Sequence, residues 1–164
     1  MAELTKLEAK LGEVLGLAMA AQGATEKVQK LENLDSKLEQ ELERMREEAR
    51  QTEERATDVA GALDGKKTAI LEEAREVKQK ATKMMSDYLD PAADALDGFE
   101  FLTMAEAGEV GHWEILKTLN ERARNPQVQE LCEWALPIQQ RHFEEARQGA
   151  VQLASDEDPN EPSE

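Results

Sequence analysis

The chain has 164 residues, 34% of them charged, with a formal net charge of −16 and a single cysteine. That charge makes a phosphate backbone a repulsive partner, because nucleic-acid affinity rests on Lys and Arg neutralising phosphates, and one cysteine rules out an intrachain disulfide framework. Ala, Glu, Lys, Arg and Leu dominate the composition, as in long helices and coiled coils, so the expected fold class is all-α, an antiparallel bundle of long amphipathic helices.

The first helix is expected over about Glu3 to Leu31. Leu4, Leu7, Leu11, Val14, Ala18, Ala21, Thr25 and Val28 recur at alternating spacings of three and four, which is a heptad seam. Beside it runs a stripe of small residues, Ala9, Gly12, Gly16, Ala20 and Gly23, suited to close approach by another helix. The apolar stretch Val14 to Ala21 is too short to span a bilayer. Glu3, Glu8 and Glu13 also deny it the positive flank of a secretory signal, so a cytoplasmic location is expected.

Asn33-Leu34-Asp35-Ser36 breaks the pattern, with Asp35 or Ser36 as N-cap of a second helix and Glu39 as capping partner. Its seam is Leu38, Leu42, Met45, Ala49, Thr52, Ala56, Val59 and Leu63, closed by Asp64-Gly65. A third helix, about Lys66 to Leu89, carries Ile70, Ala74, Val77, Ala81, Met84 and Tyr88. Without a reversal at Gly65 the two would make a rod of roughly 80 Å at 1.5 Å per residue, so a bend is expected there. Residues 1–90 thus read as three heptad-patterned segments, ended by Asp90-Pro91. Such seams do not name their partner, so a homo-oligomer or a helical protein partner is expected.

Residues 91–154 read as an antiparallel hairpin: one helix from about Pro91 to Arg124, a turn at Asn125-Pro126, and a second helix to about Ala154. All three Phe and both Trp lie here, which places the best-defined core in this pair. Pro137 is expected to kink the last helix. Residues 155–164 are acidic and nearly devoid of apolar side chains, and a disordered tail is expected.

The hairpin breaks the rule that seams carry no charge. Its first seam reads Phe99, Leu102, Glu106, Glu109, Trp113, Leu116, and a carboxylate in a core position needs a cation, a proton, a strong donor or a metal. His112 follows Glu109 by three residues, a spacing that turns both side chains to one helix face. On the second helix Gln139 and His142 occupy the apolar face. With a turn near Asn125, residues whose numbers sum to about 250 face each other, which sets Glu109 level with Arg141 and His142.

The stretch from Ala95 to Ala146, containing EFLTMAEAGEVGHWEILKTLNERA and ELCEWALPIQQRHFEEA, resembles the last two helices of ferritin-like proteins such as rubrerythrins and bacterioferritins. The resemblance implies a glutamate from each of two helices and Glu-x-x-His from each of two others, holding two iron or manganese ions. Glu109 and His112 match one such pair; in the second, Gln139 stands in the glutamate's place before His142. Helices one to three offer no seam carboxylate as counterpart for the remaining ligands. The resemblance therefore implies a degenerate or single-metal site of Glu106, Glu109, His112, Gln139 and His142 for iron, manganese or zinc, with oxygen or peroxide catalysis not expected. The alternative is a closed hydrogen-bonded network in a non-enzymatic scaffold or interaction protein, with Glu109 on His142 and Glu106 on Arg141 or His112. No nucleophile, Ser-His-Asp set or phosphate loop is visible, and Cys132 reads as a buried structural thiol.

Overall fold

The computed structural model describes residues 2–163. Among the described residues there are five helices: α1 (Lys6–Gln29), α2 (Ser36–Ala62), α3 (Lys67–Tyr88), α4 (Ala95–Ala123) and α5 (Pro126–Ser155). There is no strand among the described residues.

Local chemistry sets the helix ends. Thr5 and Glu8 form a capping box on α1, and Asp94 and Asp97 form another on α4. The second box moves the start of α4 to Ala95, four residues beyond the Pro91 expected from sequence, because two aspartates satisfy the free N–H groups there. Asp35 caps α2 and Asn125 caps α5, with Pro126 in its first turn. Gly65, at φ 69°, supports the reversal between α2 and α3, which are two helices and not one rod. The α4–α5 turn is clamped by buried Asn120, whose Nδ2 donates to Asn125 O at 2.9 Å and whose Oδ1 accepts from Asn125 N at 3.1 Å. α5 continues through Pro137 without a break and includes Ser155, so the exposed tail begins one residue later than expected. Met1 and Glu164, the last residue of that tail, lie outside the described residues.

α1, α2, α4 and α5 form a four-helix bundle in which α1 neighbours α2 and α4, and α5 neighbours the same two. α2 runs antiparallel to α1, since Val28 clusters with Leu38 at one end and Leu11 and Val14 cluster with Ala56 and Ala60 at the other. α4 also runs antiparallel to α1, since His112 meets Glu13 at one end and Gly98 meets Val28 and Leu31 at the other. α2 and α4 therefore point the same way, and α3 is the long crossover that returns the chain between them along the outside of α1. Gly12 and Gly16 make that contact possible: a β-carbon at Gly12 would stand 2.9 Å from Glu73 Cβ, and one at Gly16 would collide with the Ala74 carbonyl. Gly23 has open space around it, so the small-residue stripe serves only its first two glycines.

The apolar core has two clusters. One joins Leu11, Val14 and Leu15 to Ala56, Ile70, Trp113, Leu116, Val128, Leu131 and Cys132. The other joins Val28, Leu38, Leu42, Met45, Phe99, Phe101, Leu102 and Ala146. The α3 seam is only half used: Ile70 and Ala74 are fully buried, whereas Met84 and Tyr88 are 52% and 60% exposed. α3 seats along α1 and meets α4 at its own C-terminal end, where the Tyr88 and Phe101 ring centroids lie 6.0 Å apart. No described helix is long and apolar enough to cross a membrane.

Candidate functional site: a buried polar layer

Between the two apolar clusters, the middle of α4 and α5 contributes polar side chains to the interior. Glu106, Glu109, Gln139 and His142 are 1%, 5%, 7% and 3% exposed. Phe99, Leu102, Trp113 and Leu116 on α4 and Leu131, Ala135 and Ala146 on α5 bracket them, so each must find a hydrogen-bond partner.

Gln139 is the hub. Its Nε2 donates to Glu109 Oε2 at 3.0 Å and also to Glu106 Oε2. Burial first, then the neighbouring Glu106 carboxylate and a hydrogen bond with it, hold the Glu109 carboxyl well above the usual glutamate range, with the Gln139 amide working in the other direction. The two carboxyls thus form an acid pair in which the ionised form of Glu109 is disfavoured. His142 lies between two carboxylates: its Nδ1 is 3.9 Å from Glu106 Oε2, and its Nε2 is 3.3 Å from Glu48 Oε1 on α2. Arg141 reaches the same Glu48, donating from Nη1 to Oε1 at 3.0 Å and from Nη2 to Oε2. Arg44 stands 3.7 Å from Glu48 and also pairs with Glu145.

His112 is placed differently from the sequence expectation. It is on the α4 face toward α1, its side chain one-third exposed, and its Nδ1 lies 3.3 Å from Glu13 Oε1 and 3.2 Å from Lys10 Nζ. Lys10 also pairs with Glu13. Glu109 and His112 consequently separate, one into the core and one to the α1 side. The expected pairings also change: Glu109 bonds to Gln139 and not to His142, while Glu106 approaches His142, and Arg141 serves Glu48. The facing rule holds for these partners, since residues on α4 and α5 meet near the expected level.

Two glutamates that sequence reasoning missed complete the arrangement. Each histidine has a carboxylate from the adjacent helix, Glu13 of α1 for His112 and Glu48 of α2 for His142, both at 3.3 Å. The seams of the first helices themselves carry no carboxylate, as expected, and both glutamates flank them. Glu13 immediately precedes seam residue Val14, and Glu48 immediately precedes Ala49. A flanking position with a long side chain reaches the interior edge without occupying the seam. Only the tertiary neighbour distinguishes these two from the many other glutamates.

As arranged, the donors are engaged by the protein itself. Gln139 directs amide hydrogens at both α4 carboxylates, Arg141 covers Glu48, and Lys10 covers Glu13 beside His112. Among the described residues, no three His, Cys, Asp or Glu side chains come together in a geometry that could hold a metal ion. In this arrangement each of these carboxylates accepts from an ammonium, guanidinium or amide, and burial disfavours the ionised form of Glu109. The α3/α4 side of the layer opens on a groove of about 430 Å³, floored by Glu106 and Glu109.

No family model, no curated protein and no solved structure matches the chain.

Proposed function

We propose that this chain is a ferritin-like bundle whose carboxylate and histidine centre has become a closed hydrogen-bonded network, and that it acts as a binding or scaffold protein without enzymatic activity. Two features support the family half of this reading. A four-helix bundle with one long crossover is the ferritin-like connectivity, and α3 is such a crossover. The ligand pattern has a counterpart on every helix of the bundle: Glu13 on α1, Glu48 on α2, Glu109-x-x-His112 on α4 and Gln139-x-x-His142 on α5.

The observation that carries the functional half is the placement of Lys10, Arg141 and Gln139 on the carboxylates. A fixed ammonium beside Glu13 and His112 repels a dication, and an amide in place of a carboxylate removes one negative ligand. The buried layer then serves specificity: it admits one register of α4 against α5, since any slip leaves carboxyl groups without donors.

The test is metal analysis of protein purified without chelator and again after exposure to Fe(II), Mn(II) and Zn(II). Wild type is expected to hold less than stoichiometric metal, and the Lys10→Met, Gln139→Glu double variant to gain binding. Stoichiometric iron, manganese or zinc in wild type, lost in both His112→Ala and His142→Ala, would overturn the reading in favour of a working single-metal centre.

A further inference from the structure

Antiparallel α2 and α5 are joined along one edge by a ladder of polar rungs at constant register. Gln152 donates to Asp35 Oδ2 at 2.8 Å, Arg44 pairs with Glu145, and Arg141 donates from Nη1 to Glu48 Oε1 at 3.0 Å. Donor meets acceptor at each of these three. The register places Glu41, three residues before Arg44, at the step of α5 spanned by Glu145 and Gln148. Gln148 turns its amide along its own helix, donating to Glu144 Oε1 at 3.0 Å. At this rung, therefore, a carboxyl group meets a carboxyl group.

The mismatch leaves a mark on the partner. Glu145 Oε1 accepts from Arg44, whereas its Oε2 is buried and accepts no hydrogen bond among the described residues. An acceptor shut away from water without a donor costs free energy and is rare in folded proteins. The Glu41 and Glu145 side chains are 20% and 15% exposed, so both stand at the edge of the α2–α5 contact, where a proton can arrive from solvent.

We propose that Glu41 and Glu145 form a proton-operated clasp between α2 and α5. When Glu41 takes up a proton, its carboxyl O–H donates to Glu145 Oε2 and completes the ladder; when it releases the proton, two carboxylates repel at that rung. The Arg44 guanidinium keeps Glu145 the ionised partner. The charges bearing on Glu41 are Glu145 from α5 and, on its own helix and cap, Lys37, Arg44 and Asp35. Arg141 and His142, one turn before Glu145 on α5, are both turned to Glu48. Burial first and Glu145 second raise the Glu41 carboxyl above the usual glutamate range, with Lys37 and Arg44 working in the other direction. The folded chain thus binds this proton more tightly than the unfolded chain does. The clasp contributes fully below the ordinary glutamate value and is lost as pH rises through the folded-state value.

The experiment uses the full chain labelled with carbon-13 at the glutamate carboxyls. NMR titration is expected to give Glu41 a midpoint above the ordinary value of 4.5, falling in Glu145→Gln. Glu41→Gln and Glu41→Met then separate a hydrogen bond from simple loss of charge. Both remove the carboxylate at similar length and helix propensity, but only the amide can donate to Glu145 Oε2. At neutral pH the urea midpoint should rank Glu41→Gln above both Glu41→Met and wild type, with helicity checked by circular dichroism. Adding Glu145→Met to each should abolish the difference between the Gln and Met variants. Comparing variants at one pH cancels the contribution of Glu109. A Glu41 midpoint in the ordinary range overturns the proposal. So does a raised midpoint with Glu41→Met as stable as Glu41→Gln, which assigns the shift to burial and repulsion with no clasp.

Discussion

His142 of α5 and Glu48 of α2 meet at 3.3 Å across the bundle, and Arg141, the residue before His142, grips the same carboxylate. One glutamate outside the α2 seam therefore ties two helices that are not consecutive in the chain. It also closes the interior network, which passes from Glu109 through Gln139 and Glu106 to His142 and out to the half-exposed arginines.

Breaking that tie should cost stability in proportion to what it leaves unpaired. His142→Ala and Glu48→Gln are each expected to destabilise by about 1–3 kcal/mol, the usual range for orphaning a buried polar group. The double variant should cost less than their sum. Urea titration followed by circular dichroism measures all three, and strict additivity would show that the two residues do not interact.

The acid pair predicts a specific pH dependence. Glu109 has its carboxyl held well above the ordinary value of 4.5, by burial first and by Glu106 second. The folded state therefore binds this proton more tightly than the unfolded chain does. Its contribution to stability is complete below about the ordinary glutamate value and is lost as pH rises toward the folded-state value. Glu109→Gln mimics the protonated form, so the difference in stability between variant and wild type should shift in the variant's favour from acid to neutral pH. A difference that is flat with pH would show that Glu109 is not protonated in the folded state.

The glycines of α1 give a paired test of the crossover. Gly16→Ala drives a methyl group into the Ala74 carbonyl and toward Val77, and should destabilise by about 1–3 kcal/mol as an overpacking change. Gly23→Ala meets nothing and should stabilise by up to about 1 kcal/mol, through helix propensity alone. Opposite shifts in thermal midpoint are the expected outcome, and equal shifts would mean that α3 does not seat on Gly16.

Cys132 should behave as a protected thiol. It is 2% exposed, and burial, partly offset by Lys117, pushes its pKa up to about 11. Because the thiolate is the reactive species, labelling by a disulfide reagent at neutral pH should be slow in the native protein and follow the fraction unfolded in urea. Rapid stoichiometric labelling without denaturant would contradict the packing around α5.

The heptad spacing of apolar residues determined by itself that the chain is helical, where four of its five helices begin and end to within a few residues, and that Glu106, Glu109, Gln139 and His142 point inward. These are local consequences of helical periodicity and capping chemistry, carried by residues close in sequence. Tertiary structure alone decided that α3 seats on α1 and leaves Met84 and Tyr88 exposed, because a seam states that a face is apolar without stating what covers it. It likewise decided that His112 turns to Glu13 while His142 turns to Glu48. Long acidic side chains beside a seam look alike along the chain, and only the neighbouring helix determines which of them closes a buried network and which remains in water.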